Sequence, residues 1–497
     1  MATLTELLST SLEVLKKAQQ EKDFMIIKST DLSRSHLKRL IDKNFLKPII
    51  KGWYVVTDPT TLPGDSTSWY ASYWHFVARY ANERYGNEWC LSPEQSISIY
   101  SGATTIPNQV IIRSLKANNK TQALIPPTSI FNLQASTPET IVSDNRYKVN
   151  LYTLPEAIIM CSPVMYKNDS LSMRTSLAQI NNSSEILSLL VEKGLTLRAG
   201  RLAGAFRNIG REIIAIDIMT TMKRLGYDIR EEDPFENTST FQISPSPYAT
   251  RLNLMWQEMR TVVLQHFDRP KTNLSSQDFL AKMDVQYKLD AYHSLSIEGY
   301  RVTDDLIEKV RSGLWKPESV DADQRNALAA RGYWQAFQKI KTSVSDLFNG
   351  NDPGTIAERD LTLWYQELFM PSVTSGILKP SDLIGYRRNQ VYIRQSMHTP
   401  LPPEALTDAM STYFELLKRE PEASVRAILG HLLFTFIHPY MDGNGRLGRF
   451  LMNAMLASGG YDWIIIPVEK RDQYMNALEK ASVEGDIEPF VKFICNL

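Results

Sequence analysis

The chain has 497 residues, 43% of them apolar and 22% charged, with 55 basic and 55 acidic side chains in balance. That length exceeds one hydrophobic core and implies roughly two to four domains, and the zero net charge excludes a global field drawing the molecule to nucleic acid or membrane. Three widely spaced cysteines, Cys90, Cys161 and Cys495, exclude a disulfide framework and a Cys/His zinc module, which points to a reducing, cytoplasmic setting.

Leu4 to Gln20 reads as a polar amphipathic helix rather than a signal sequence, and no run of about eighteen apolar residues offers a membrane span. Ser29, Thr30 and Asp31 can cap short helices reaching Asn44, with Leu32, Leu37, Leu40 and Ile41 at helical spacing. Two short strands around Lys51-Gly52 follow, so residues 1–57 describe a winged helix-turn-helix. Its second helix would present Ser33, Arg34, Ser35, Lys38 and Arg39, and its wing Lys47 and Lys51, so residues 28–53 are the candidate DNA contact.

Residues 58–232 read as mixed α/β, with an aromatic helix from Trp69 to Tyr85, strands at 109–113 and 148–153, and helices at 185–195 and 211–225. Asp233-Pro234 and Ser244-Pro245-Ser246-Pro247 mark residues 233–250 as a linker. Residues 251–497 are then mainly α, with helices at 252–266, 276–293, 303–312, 322–347 and 355–369, and short exceptions at 391–393 and 462–466.

One segment carries chemistry. His438-Pro439-Tyr440-Met441-Asp442-Gly443-Asn444-Gly445-Arg446-Leu447-Gly448-Arg449 lies between two apolar-periodic helices. Pro439 stops the first helix, and Gly443 and Gly445 allow the backbone to aim successive amides into one concavity. The second helix starts near Arg446, so its positive end faces that nest, and two arginines complete a seat for phosphate oxygens. Asp442 is a hard ligand suited to magnesium, and His438 a base near neutral pH.

The whole string resembles the signature of the Fic family, with Tyr440 where the family usually has phenylalanine. The resemblance implies a helical core with a small β-hairpin flap, and a protein adenylyltransferase that moves AMP from ATP onto a Ser, Thr or Tyr hydroxyl of a target protein. On that reading His438 is the catalytic base and Asp442 holds Mg2+. Gly443, Asn444 and Gly445 form the anion loop, while Arg446 and Arg449 hold the outer phosphates. Arg471, Tyr474 and Leu478, at i, i+3, i+7, are placed like residues bordering the adenine pocket, which makes Tyr474 a candidate nucleotide contact. His431 also matches a family position and is read as structural. Arg388 to Ile393 and His398 to Leu401 resemble the flap that binds the target by strand addition.

Helical periodicity over residues 283–299 ends at Ser294-Leu295-Ser296-Ile297-Glu298-Gly299. Ser294 and Glu298 share one face, and Gly299 is a natural terminator. This resembles the family's inhibitory motif, whose glutamate pairs with the second arginine of the signature, here Arg449. The same glutamate leaves open the reverse reaction, removal of AMP. The N-terminal region resembles the abortive-infection antitoxin family in Leu32-Ser33-Arg34-Ser35-His36-Leu37-Lys38-Arg39-Leu40 and Gly52-Trp53-Tyr54, and loosely over residues 91–228. A DNA-binding regulator using the Fic half as a nucleotide sensor therefore stands as the alternative, and self-association into a homo-oligomer stays open.

Overall fold

A computed structural model describes residues 3–22, 25–60, 65–237, 241–313 and 324–497, so 322–323 of one expected helix and 238–240 of the expected linker lie outside the described residues. By its contacts the chain divides into two units: Met1–Arg251 with Tyr392–Thr399, and Leu252–Val391 with Pro400–Leu497.

The first unit begins with the helix Leu4–Lys22, the strand Ile26–Lys28, the helix Arg34–Asp42 and the strands Leu46–Ile50 and Trp53–Val56. The three strands form an antiparallel sheet with Trp53–Val56 in the centre. Gly52, at φ +82°, closes the ribbon. Leu15, Ile27, Leu40 and Leu46 make the small core beneath it. One expectation fails here: a single helix, not two, stands between the first strand and the ribbon. Asp31 is drawn into a turn, accepting from the Lys28 amide at 2.8 Å and pairing with Arg79, and Ser33 caps the helix instead. Without that extra helix the helix-turn-helix is incomplete.

Next comes the aromatic helix Thr67–Tyr85, packed on a four-stranded mixed sheet whose order is Cys90–Leu91, Gln109–Ser114, Ser129–Gln134, Lys120–Ala123. Short helices from Leu154 to Arg224 build a further core. The expected linker starts inside this unit. Gly200 and Gly204 open a groove along the helix Thr196–Asn208, where an added Cβ would lie 2.0 Å from the Arg230 carbonyl and 2.2 Å from that of Glu232. Phe235 is buried just beyond. Residues 230–235 are therefore packed, not free.

The expected flap hairpin does not form either: residues 388–401 contain no strand. His398 instead bridges antiparallel to Thr105, the Ile106 amide donates to the Met397 carbonyl at 3.0 Å, and the Thr399 amide to the Thr104 carbonyl at 2.8 Å. Arg394 pairs with Asp65 at 2.9 Å. Pro400, Pro402 and Pro403 lack the amides that a returning strand needs. The backbone that would have paired locally pairs with residues 104–106.

The second unit is helical. Its main helices are Pro247–His266 from Leu252 onward, Ser276–Ile297, Asp304–Arg311, Gln324–Phe348, Pro353–Thr374, Leu406–Arg419, Ala423–Ile437, Asn444–Ser458, Arg471–Glu479 and Glu488–Cys495. Ala423–Ile437 is buried along nearly its whole length, as an apolar helix at the centre of a bundle must be. Gly332 lets two neighbours close up, since a Cβ there would meet the Leu368 carbonyl at 1.9 Å. Residues 462–464 are extended but unpaired as strand: the Asn453 side chain takes both backbone groups of Ile464, at 2.6 and 2.9 Å.

No helix among the described residues is long and apolar enough to cross a membrane.

Candidate active site

The helix Ala423–Ile437 ends at His438, whose backbone is left-handed at φ 56°, ψ 59°. That conformation costs a non-glycine residue about 1–2 kcal/mol, and Pro439 prevents the helix from continuing. The imidazole Nδ1 lies 3.1 Å from the Thr435 carbonyl, so it carries the proton and leaves Nε2 as the acceptor. Burial, offset in part by that hydrogen bond, pulls the His438 pKa down to about 4. The ring is neutral at pH 7, ready to take a proton.

The loop that follows is strapped from within. The Asn444 side chain accepts from the Tyr440 amide at 3.0 Å and donates to the Tyr440 carbonyl at 2.8 Å. Both ends of its amide are thus committed, which assigns Asn444 to shaping the loop. Tyr440 stacks on Tyr365 with ring centroids 3.9 Å apart, so the ring that replaces phenylalanine still packs. Gly443, at φ +85°, precedes the helix Asn444–Ser458, and its amide donates to Asp442 Oδ1 at 2.6 Å. The Asp442 carboxylate is exposed and lies 3.3 Å from Arg446 Nη2.

Arg446 is fully buried. Its guanidinium carbon sits 5.1 Å from the ring centres of both Tyr300 and Phe369, while none of its three nitrogens makes a hydrogen bond. A cavity of about 600 Å3 opens beside it, walled also by Asp442, Arg325, Tyr386 and Arg388. His438 and Arg449 are not among its walls.

Arg449 is occupied. Its Nε donates to Ser294 Oγ at 2.9 Å, and Nη2 donates to the Ser294 carbonyl at 3.0 Å and to Glu298 Oε1 at 2.7 Å. Glu298 ends the helix Ser276–Ile297, and Gly299, at φ +85°, lets the Tyr300 amide return to the Leu295 carbonyl at 3.1 Å. The Glu298 carboxylate lies against the first turn of the next helix, where a Cβ on Gly445 would come within 2.3 Å of it. Ser294, Glu298, Gly445 and Arg449 thus come together.

Tyr474 does not present a free face. It is buried, and its hydroxyl lies 2.7 Å from His431 Nε2. Arg471 donates to the Ile297 carbonyl at 2.9 Å, which ties down the end of the Glu298 helix. A helical i, i+3, i+7 pattern gives a shared face but not what that face meets.

Sequence reasoning missed Tyr300, Phe369 and Arg387. Tyr300 follows Gly299 directly and could have been noticed as an aromatic beside the motif. Phe369 and Arg387 carried no signal.

Residues 356–456 match the sequence model of the Fic/DOC family. The chain is 34% identical over 213 residues to the protein adenylyltransferase Fic of Drosophila mojavensis, covering 41% of this chain and 38% of that one. For the protein of the same name in Drosophila virilis the identity is 33% over 212 residues, 41% of this chain and 40% of the relative. The chain thus spans about two fifths of the length of these curated relatives. Among solved structures, residues 134–508 of Fic-1 from C. elegans align over 69% of this chain and 87% of that one, at 18% identity and a TM-score of 0.36.

Proposed function

We propose that the second unit transfers AMP from ATP to a hydroxyl of a protein target. The observation that carries this reading is the His438 loop: Nδ1 is spent on Thr435, Nε2 is left as acceptor, and a fully buried Arg446 without hydrogen-bond partners follows within one turn of the next helix. The match of residues 356–456 to the Fic/DOC family and the relatives named protein adenylyltransferase Fic support it independently.

In this reading His438 Nε2 takes the proton of the target hydroxyl. The hydroxyl oxygen forms a bond to the α-phosphorus, the P–O bond to the β-phosphate breaks, and pyrophosphate leaves with the electron pair. Arg446 offers its unpaired N–H groups to the charge on the phosphates. Asp442 is suited to hold magnesium, since its carboxylate is exposed, both its contacts use Oδ1, and this ion takes one protein carboxylate with phosphate and water oxygens. When bound, that ion would neutralise charge on the leaving group. Glu298 opposes the reaction by holding Arg449 and lying on Gly445.

Incubating the full chain and its Glu298→Gly form with ATP and magnesium tests this. Label in the α position becomes attached to protein, and label in the γ position does not. Attachment of the γ label, or of neither, overturns the reading.

A second reading concerns the first unit. Arg34, Lys38, Lys47 and Lys51 are exposed on one helix and the ribbon, which supports contact with a phosphate backbone. Arg39 is spent on the Leu7 carbonyl and Ser11, so it is no part of that surface. A gel shift with duplex DNA that weakens on Lys38→Ala and Lys51→Ala supports this reading, and no shift at low salt removes it.

A further inference from the structure

Arg387 is buried beside the His438 loop, only 5% exposed. Each nitrogen of its guanidinium reaches a backbone carbonyl. Its Nε donates to the His438 carbonyl at 2.8 Å and Nη1 to that of Asn389 at 2.9 Å. Nη2 donates to the Leu401 carbonyl, and the backbone amide to the Pro439 carbonyl at 2.9 Å. Hydrogen bonds from a charged donor are roughly twice as strong as neutral ones, so these carbonyls are firmly placed.

The acceptors form a pattern. His438 sits in the left-handed region, where little beyond its surroundings keeps a non-glycine residue. Its amide is held by the Phe434 carbonyl and its Nδ1 by that of Thr435, both from the preceding helix. Arg387 holds the opposite side of the same residue, clasping the carbonyls of 438 and 439. Asn389 and Leu401 are the two stems of the segment 392–399, and the same guanidinium joins them.

We propose that Arg387 is a positioning residue for the transfer reaction, its guanidinium fixing the direction of the His438 imidazole by holding the His438 carbonyl and both stems at one point, beside the Pro439 carbonyl that its backbone amide holds. The inference rests on the transferase reading above. Its charge works in the same sense: among the groups that face His438, Arg387 disfavours the imidazolium whereas Glu298 and Asp442 favour it.

The test uses the full chain carrying Glu298→Gly, whose own labelling must be present first. If that parent does not label, the transferase reading fails and Arg387 is not the cause. In that background Arg387→Met lowers kcat by about 10²-fold, because misdirecting one catalytic group by about an ångström has that effect. Affinity for a non-hydrolysable ATP analogue changes by less than about threefold: Arg387 borders the cavity, but each guanidinium nitrogen is already spent on a backbone carbonyl. Arg387→Lys, which reaches only some of the carbonyls, recovers about tenfold of the lost kcat. An unchanged kcat in Arg387→Met overturns the proposal. So does a loss of nucleotide affinity matching the loss of rate, which would make Arg387 a ligand-binding cation. Should Arg387→Met not fold, Arg387→Lys decides: reduced kcat with intact nucleotide affinity supports the clamp, and unchanged kcat removes it.

Discussion

Arg446 and Arg449 leave the same helix three residues apart and are both buried, yet their surroundings are opposite. Arg446 is wedged between the rings of Tyr300 and Phe369 with no hydrogen bond, at the wall of a cavity. Arg449 has a hydroxyl, a carbonyl and a carboxylate, all from one helix end. Aromatic faces hold a cation without satisfying its N–H groups, so Arg446, 3.3 Å from the exposed Asp442 carboxylate but hydrogen-bonded to nothing, keeps its donors unspent. Arg449 has spent them, on Ser294 and Glu298. On the transferase reading, the cation pair proposed for the phosphates is therefore half open and half filled, and the filling group is part of the protein itself.

The largest test of that contrast removes the chemistry both arginines would serve. His438→Ala lowers transfer by about 10³-fold or more while ATP binding persists, as labelling rate and calorimetry together read. Persistence of transfer would mean that the cations are not gathered around this base. Next, emptying the filled side: Glu298→Gly raises self-labelling about 10–100-fold by releasing Arg449, roughly the strength of a buried charged hydrogen bond. An unchanged rate would show that the carboxylate does not hold the site shut.

Stability separates the two arginines further. Replacing a buried cation that makes no hydrogen bond, and whose carboxylate neighbour Asp442 is exposed, by an apolar chain of similar length relieves its desolvation, so Arg446→Met stabilises the nucleotide-free protein by about 1–4 kcal/mol and abolishes nucleotide binding. Arg449→Met instead leaves Ser294 and Glu298 without their donor and destabilises it. Equal effects in denaturant melts would erase the contrast.

The smallest effect concerns a carboxyl beneath the filled side. Asp290 is buried, accepts from the Tyr333 hydroxyl at 2.8 Å, and burial raises its pKa from 3.8 to about 6, with Arg449 acting against that rise. The folded protein then keeps this proton over a range where the unfolded chain has lost it, so stability falls as pH rises from about 4 through about 6. Asp290→Asn removes that contribution. Its melting midpoint relative to the parent climbs by a few degrees across this window and is level above about pH 7. A flat difference throughout would mean that Asp290 titrates normally.

What the sequence made legible follows from where the information sits. The candidate loop is twelve consecutive residues, so proline, glycines and charges could be read in order. Ser294 and Glu298 are one helical turn apart, and their shared face is a local property. Arg387 has its partners 51 and 14 residues downstream in His438 and Leu401, and they are backbone carbonyls that any residue supplies. No local pattern points to it. The extended segment near 398 pairs with Thr104 to Ile106, almost three hundred residues earlier, whereas reading the chain alone favoured the nearer partner. Gly200 and Gly204 gave no hint that residues 230–235 would fill the groove between them, because an absent side chain does not say what comes close.

That long-range pairing bears on how the protein can be dissected. Eight residues, Tyr392–Thr399, lie by sequence within the helical half and by their contacts within the other, with His398 only 2% exposed and hydrogen-bonded to Thr104 at 2.9 Å. A truncation at Leu252 would not deliver a tidy helical fragment. It would strip the cover from Met397 and His398, leave the amide of Thr399 without its acceptor, and give the shortened polypeptide a sticky edge that the intact molecule keeps sealed.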